Sequence, residues 1–298
     1  MTVDTSTLDA ATLAKIRAAH TANGIPTQQR KVPFRNIRHV LSLHAAVSPD
    51  KTFLIYYDAE GRREQLTYAE FNARVHQTAN FLHEDLGIRR GDRVATIAYN
   101  HPDTVLIYFA CWIIGAAVAP QNVTEDDRRI AFILRNSQAS VCFVCPEYLE
   151  RAEHIISGPE HDELGAPNIR QIIQLGGDPV EGYMQFHEMV RNQPTTYLAD
   201  DVPKAGDSVQ RTGTASTPTL DDEALLVYTS GTTGAPKGVV LTQYNLLVDA
   251  LGIAGWQGIT GNQRMMCVLP IHHVNGTVVT LVTPLYVGGS AVLNRQFS

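Results

Sequence analysis

Leu225 to Thr242 reads LLVYTSGTTGAPKGVVLT, an apolar run followed by hydroxyl and glycine residues that lead to a single lysine. Leu225, Leu226, Val227 and Tyr228 have the length and character of a buried strand of an α/β sheet, and open sheets of that kind bind ligands beyond the carboxyl ends of their strands. In the loop expected next, Thr229 to Gly238, Gly231 and Gly234 allow positive φ and let backbone N–H groups come close to an anion. Thr229, Ser230, Thr232 and Thr233 add four hydroxyl donors, and Lys237 adds the positive charge. Pro236 fixes φ just before that lysine, which suits a loop held in one shape. The combination is a phosphate grip. It is not the P-loop G-x-x-x-x-G-K-[ST], because Pro236 stands five residues after Gly231 and Gly238 follows Lys237. A plain surface turn accounts for TSG or TTG alone, but not for ten consecutive phosphate-compatible positions behind a strand.

Around this stretch the chain has a globular composition, 298 residues with 44% hydrophobic and 18% charged. A formal net charge of -6 gives no basic footprint, so nucleic acid is not expected as a partner and an anionic ligand must be held by local geometry. The first twenty residues carry Asp4 and Asp9 and no apolar core of signal-peptide length, which points to a cytoplasmic protein. Val105 to Ala119 is apolar apart from the Tyr108 hydroxyl, but fifteen residues fall short of the ~20 that a spanning helix requires. No transmembrane segment is expected. Cys142 and Cys145 form C-x-x-C on a predicted strand, where residues three apart point to opposite faces, so they read as two buried thiols and not as a zinc or redox pair.

Residues 1–35 read as an appendage, with a short helix ending near Gly24 and Pro26. Asn36 to Val47 is a predicted helix, Thr52 to Asp58 and Arg63 to Leu66 a hairpin, and Thr67-x-x-Glu70 a capping box opening a helix with Phe71, Val75, Ala79, Leu82 and Leu86 on one face. Arg93 to Tyr99 is a strand, His101 to Gly115 a buried helix, Ala116 to Ala119 a strand. A helix is expected to start at Thr124-x-x-Asp127, and Ser140 to Cys145 is again a strand. Strand and helix in turn indicate a doubly wound, mostly parallel α/β sheet over residues 36–198. Residues 199–222 are rich in Ser, Thr, Pro, Gly and Asp and read as a linker into a second α/β subdomain, 223–298, that begins with the phosphate loop. There Gln243 to Trp256 and Val274 to Tyr286 are predicted helices, Arg264 to Leu269 and Ser290 to Leu293 predicted strands.

A second chemical cluster, LPIHHVNG from Leu269 to Gly276, lies at a strand end and is therefore expected on the side of the sheet that carries the phosphate loop. His273 could serve chemistry, sit satisfied in the core, or join His272 on zinc. Adjacent histidines on extended backbone diverge and no acid or cysteine stands close in sequence, which disfavours zinc.

YTSGTTGAPKG resembles the signature loop of the adenylate-forming superfamily, which includes acyl-CoA synthetases, peptide-synthetase adenylation domains and luciferases. LTYAEFNARVHQTANFLHEDLGIRRGDRVATIAYN and GAAVAPQNVTEDDRRIAFILRNSQASV are similar to that superfamily's first subdomain, and LPIHHVNG to its motif of proline, aromatic and histidine. The resemblance implies ATP-dependent activation of a carboxylic acid to acyl-AMP with loss of pyrophosphate, then transfer to CoA, with Mg²⁺ on the nucleotide. It places Thr229, Ser230, Gly231, Thr232, Thr233, Gly234 and Lys237 around the phosphates, Thr229 toward the Mg²⁺ bound to ATP, and His273, Asn275 and Gly276 beside the acid. Lys237 and His273 become the candidate catalytic residues. Two positions depart from the pattern: Gln243 replaces a histidine, which removes a titratable group, and His272 replaces an aromatic. The superfamily's downstream adenosine motifs, magnesium-binding acid, hinge and catalytic lysine have no counterpart before Ser298. The chain therefore reads as an N-terminal fragment that makes no acyl-CoA alone. A non-catalytic nucleotide-binding piece and a scaffold that binds nothing are the rival readings. Truncation inside a subdomain is further expected to leave Val278, Val279, Leu281, Val282 and Leu285 uncovered.

Overall fold

The computed structural model of the chain describes residues 9–12, 14, 21, 22, 25, 26, 32–158, 167–197, 217–229 and 236–295. The chain divides into residues 1–33 and residues 34–298. In the first unit residues 10–12 are helical, and β1 (Thr21–Ala22) pairs antiparallel with β2 (Ile25–Pro26). The helix expected to run toward Gly24 has thus given way to extended chain by Thr21.

The second unit is an α/β fold on two sheets. β3 (Thr52–Tyr57) and β4 (Arg63–Thr67) form the expected antiparallel hairpin. β5 (Arg93–Ile97), β6 (Ala117–Gln121), β7 (Val141–Val144), β8 (Gln171–Gln174), β9 (Met184–Gln185) and β10 (Glu223–Thr229) follow. Next come β11 (Lys237–Thr242), β12 (Arg264–Cys267) and β13 (Ser290–Asn294). Seven strands make a sheet in the order β11-β10-β6-β5-β7-β8-β9, parallel throughout except for the β10–β11 hairpin at its edge. Four make a sheet in the order β12-β13-β3-β4, antiparallel only between β3 and β4.

The sheets do not part at residue 222. β10 and β11, expected to open a second subdomain, extend the sheet of residues 93–185, where Leu226 packs with Ala117 and Ala119 of β6. β3 and β4 in turn complete the sheet of β12 and β13.

Between these sheets runs the helix Pro102–Ile114, all of whose residues are buried. Its sequence has no polar face because it has no solvent side. Phe109 packs on Phe53 of β3 with ring centroids 6.2 Å apart, while the Trp112 indole N–H donates to the Ala224 carbonyl of β10 at 2.8 Å. His101 caps the helix start by accepting the Asp103 amide, and Gly115 ends it at φ 87°. Among the described residues no helix is long and apolar enough to cross a membrane.

Local capping chemistry sets the starts of the helices that follow Asn36 and Thr67, as expected for the latter. Asn36 accepts the His39 amide at 2.8 Å ahead of the helix Ile37–Val47. Thr67 and Glu70 form the reciprocal capping box of the helix Tyr68–Asn80, which continues through one π-helical segment, Phe81–Asp85. The Thr124 expectation fails: Asn122 Oδ1 accepts both the amide and the hydroxyl of Thr124, at 3.1 and 2.9 Å, and holds it in a turn. Asp126 caps the helix Asp127–Ser137 instead, accepting the Arg129 amide at 2.9 Å.

Gln243 sits fully buried just after the cap of the helix Gln243–Gln257. Its Oε1 accepts the Ile37 amide at 2.9 Å and its Nε2 donates to the Trp112 carbonyl at 2.8 Å. A neutral side chain with one acceptor and one donor is what that position demands. The helix expected over Val274 to Tyr286 is π-helical from Asn275 to Val282 and α-helical from Thr283 to Val287. Of the apolar surface expected to be uncovered there, Val278, Leu281, Val282 and Leu285 are buried and Val279 is half-buried, since this segment packs on the helix Gln243–Gln257. Among the described residues, exposed apolar side chains lie elsewhere and include Val239 and Val240 on β11, Val47, Trp256 and Met266.

Candidate active site

Strands β5, β6, β12 and β13 each end in a segment that contributes to one cavity of about 450 Å³. Ala98, Tyr99 and Asn100 follow β5, Asn122, Val123 and Thr124 follow β6, Val268, Pro270, His272 and His273 follow β12, and Arg295 follows β13. The carboxyl ends of parallel strands from both sheets therefore meet here, where α/β folds place ligands.

The two histidines project from a turn, not from extended chain. The His273 amide donates to the Pro270 carbonyl at 3.1 Å, and the His273 carbonyl accepts the Thr277 amide at 3.0 Å. The turn brings the rings together, with centroids 4.3 Å apart, which corrects the expectation that they diverge. Burial lowers the His272 pKa to about 4, and the neighbouring His273 pushes the same way. His272 is thus neutral at physiological pH and supplies a donor and an acceptor, while His273 is the exposed member of the pair. Among the described residues no group of three or more His, Cys, Asp or Glu could hold a metal ion.

Asn275 and Gly276 stand just past the cavity lining. Asn275 is exposed in the first turn of its helix and Gly276 is buried beneath the Pro270–Ile271 turn. A Cβ at Gly276 would lie 2.4 Å from the Pro270 carbonyl oxygen, so only glycine lets the helix approach that turn.

Arg295, also in the cavity lining, spans from the second sheet to the first. Its guanidinium pairs with Glu147 and lies 5.2 Å from the centre of the Tyr99 ring, and the Tyr99 and Tyr148 hydroxyls are hydrogen-bonded to each other. Tyr99, Asn100, Asn122 and Arg295 were not read from the sequence as site residues. The available signal was positional, because Tyr99 ends a predicted strand and the other three follow one at its carboxyl end.

Thr229 ends β10 and Lys237 begins β11, and the two are paired across the hairpin. The expected loop over Thr229 to Gly238 is thus shorter, with Lys237 and Gly238 already in a strand. Ser230, Gly231, Thr232, Thr233 and Gly234 lie outside the described residues. β10 runs parallel to β6, so Thr229 emerges at the same end of the sheet as Asn122 of the cavity wall. Both Thr229 and Lys237 are exposed there. Cys142 and Cys145 are buried free thiols, and burial raises the Cys145 pKa to about 12, which removes it from nucleophilic chemistry.

Comparison with known proteins adds identity to this geometry. Residues 41–298 match the family described as AMP-binding enzyme. Crotonobetaine/carnitine–CoA ligase of Salmonella typhimurium strain LT2 is 31% identical over 270 residues, covering 89% of this chain and 47% of that protein. The same ligase from Salmonella agona strain SL483 is 30% identical over 272 residues, again covering 89% and 47%. The chain spans about half the length of these relatives. Among solved structures, anthranilate CoA ligase AuaEII in complex with anthranoyl-AMP superposes with a TM-score of 0.72 at 26% identity, over 89% of this chain and 46% of that one. The N-terminal domain of FACL13 from Mycobacterium tuberculosis shares the fold with a TM-score of 0.67 at 24% identity, over 89% and 58%. A sheet-edge hairpin carrying the glycine- and threonine-rich stretch, a histidine cavity beside it and a match over residues 41–298 lead to one conclusion: the chain belongs to the AMP-binding enzyme family, the adenylate-forming group that contains ATP-dependent acid–CoA ligases.

Proposed function

We propose that the full-length protein containing this chain activates a carboxylic acid with ATP to acyl-AMP, releasing pyrophosphate, and then transfers the acyl group to CoA. The observation that carries the reading is the placement of the β10–β11 hairpin at the same sheet end as the cavity of His272 and His273. A carboxylate oxygen attacks the α-phosphorus and pyrophosphate departs, so charge builds on the β- and γ-phosphates. Lys237, the hydroxyls of Thr229, Ser230, Thr232 and Thr233, and the amides of Gly231 and Gly234 are assigned to hold that charge. His273 is assigned to the acid's carboxylate, with Asn275 and Gly276 setting the start of the helix behind it.

Exposed, facing Thr229 and Lys237 suit a nucleoside triphosphate. Mg²⁺ there neutralises phosphate charge, and Thr229 is the residue assigned to contact it. This chain alone is assigned binding and not turnover. The test is acyl-CoA formation by purified 1–298 and by the full-length protein, with ATP, Mg²⁺, CoA and a panel of carboxylic acids. Turnover is expected only from the latter, and its absence there with every acid overturns the ligase reading.

A further inference from the structure

Asn100 follows the first-sheet strand β5, yet its side-chain hydrogen bonds go to the second sheet's strand β13 and to the segment after β12. Its Nδ2 donates to the Leu269 carbonyl at 3.0 Å and to the Asn294 carbonyl at 3.1 Å, and its Oδ1 accepts the Ile271 amide at 2.9 Å. Both amide protons and the carbonyl oxygen are engaged, with the side chain inside the protein at 4% exposure. The three partners bracket the start of the histidine turn and the end of β13, just before Arg295. No other residue type of this size offers two donors and an acceptor in that arrangement: Asp loses the donors, Leu loses all three.

We infer that Asn100 is a positioning residue, a clamp that sets the His272–His273 turn and the Arg295 end of β13 at a fixed distance from the carboxyl end of β5, and so fixes the width of the cavity. Its catalytic meaning rests on the acid-site reading above, whereas the clamp itself is geometry and is testable without chemistry. Releasing it frees the turn at Leu269 and Ile271 and hydrates His272, whose low pKa comes first from burial.

The experiment is NMR on the 1–298 chain. In the unmodified protein the Ile271 amide, outside any helix or strand, is expected to exchange at least about tenfold more slowly than a free amide. Exchange at the free rate overturns the clamp whatever the variants do. In Asn100→Ala the His272 imidazole is expected to titrate about one pH unit or more above its position in the unmodified protein, where burial holds it down. Val94→Ala, a buried change in β5, is the comparison for general loosening and should leave His272 where it was. Asn100→Asp keeps the acceptor for Ile271 and loses both donors, so the Ile271 amide stays protected; its new carboxylate raises His272 by charge alone, so only the amide exchange is read in that variant. If Asn100→Ala does not fold, the Asp variant and the wild-type exchange decide. A His272 titration unchanged in the folded Ala variant or moved equally by Val94→Ala, or an Ile271 amide unprotected in the folded Asp variant, overturns the inference. Because none of these readings involves ATP or an acid, loss of the ligase reading leaves them intact, and their failure leaves the ligase reading intact.

Discussion

Thr229 and Lys237 are partners across the β10–β11 hairpin, one closing a strand and the other opening the next. The glycine- and threonine-rich residues between them join two strands whose register is fixed by six paired positions from Glu223↔Thr242 to Thr229↔Lys237. A lysine held at a strand start differs from one on a free loop, because its backbone position is set by the sheet and only the side chain adapts to the ligand.

Lys237→Ala in the full-length protein should slow adenylate formation by about 10²- to 10³-fold, the scale of losing one preorganised charge-stabilising donor. Stability should stay near the parent's, since the side chain is exposed on an edge strand. Pyrophosphate release under single-turnover conditions reads the first quantity and thermal melting the second.

His273→Ala should reduce acid-dependent pyrophosphate release while ATP affinity stays within about threefold, because the phosphates are assigned to the hairpin and the carboxylate to the cavity. Parallel loss of ATP affinity in the Lys237 and His273 variants would show that the two elements do not divide the substrate in this way.

Gly276→Ala should destabilise the fold by about 1–3 kcal/mol, as overpacking against rigid backbone does. The added carbon meets the Pro270 carbonyl at 2.4 Å, and no rotamer relieves it. Chemical denaturation measures the cost, and a variant as stable as the parent contradicts the close approach.

Acid should weaken the fold partly through His76. Burial first, and Arg38 second, lower its pKa from 6.5 to about 4 in the folded chain. Between those two values the unfolded state binds the proton and the folded state does not, so stability falls as pH drops from 6.5 toward 4 and this contribution levels off below that. His76→Gln should flatten the stability–pH curve within that window. An identical slope in both proteins would assign the acid sensitivity elsewhere.

Local chemistry was the part of this fold that its residues announced. Asn36, Thr67 with Glu70, and His101 with Gly115 bound their helices as their types predict, since a cap is decided within four residues. Partner choice was not legible. β3 pairs with β13 through Leu54↔Ala291 and Ile55↔Val292, and no periodicity in either strand names a partner that remote in sequence. The same limit hid the membership of β10 and β11 in the first sheet, and the burial of Val278 and Leu285 by a helix from elsewhere in the chain. In the site, Lys237 and His273 stood out by type and spacing. Asn100 and Arg295 did not, because an Asn before His-Pro resembles a turn residue and an Arg after a strand resembles a solvated charge until the two sheets bring them together. His272 and His273 show the converse error: an extended-chain rule was applied to four residues that form a turn.

The β10–β11 hairpin, proposed as a phosphate grip, emerges at the sheet end that carries the histidine cavity. Calorimetric titration of purified 1–298 with magnesium pyrophosphate, in the parent and in Lys237→Ala, tests that role most directly. The account predicts measurable binding by the parent and at least about tenfold weaker binding by Lys237→Ala, as a lost charge-assisted contact requires. Equal binding by both proteins, or none by the folded parent, would contradict it.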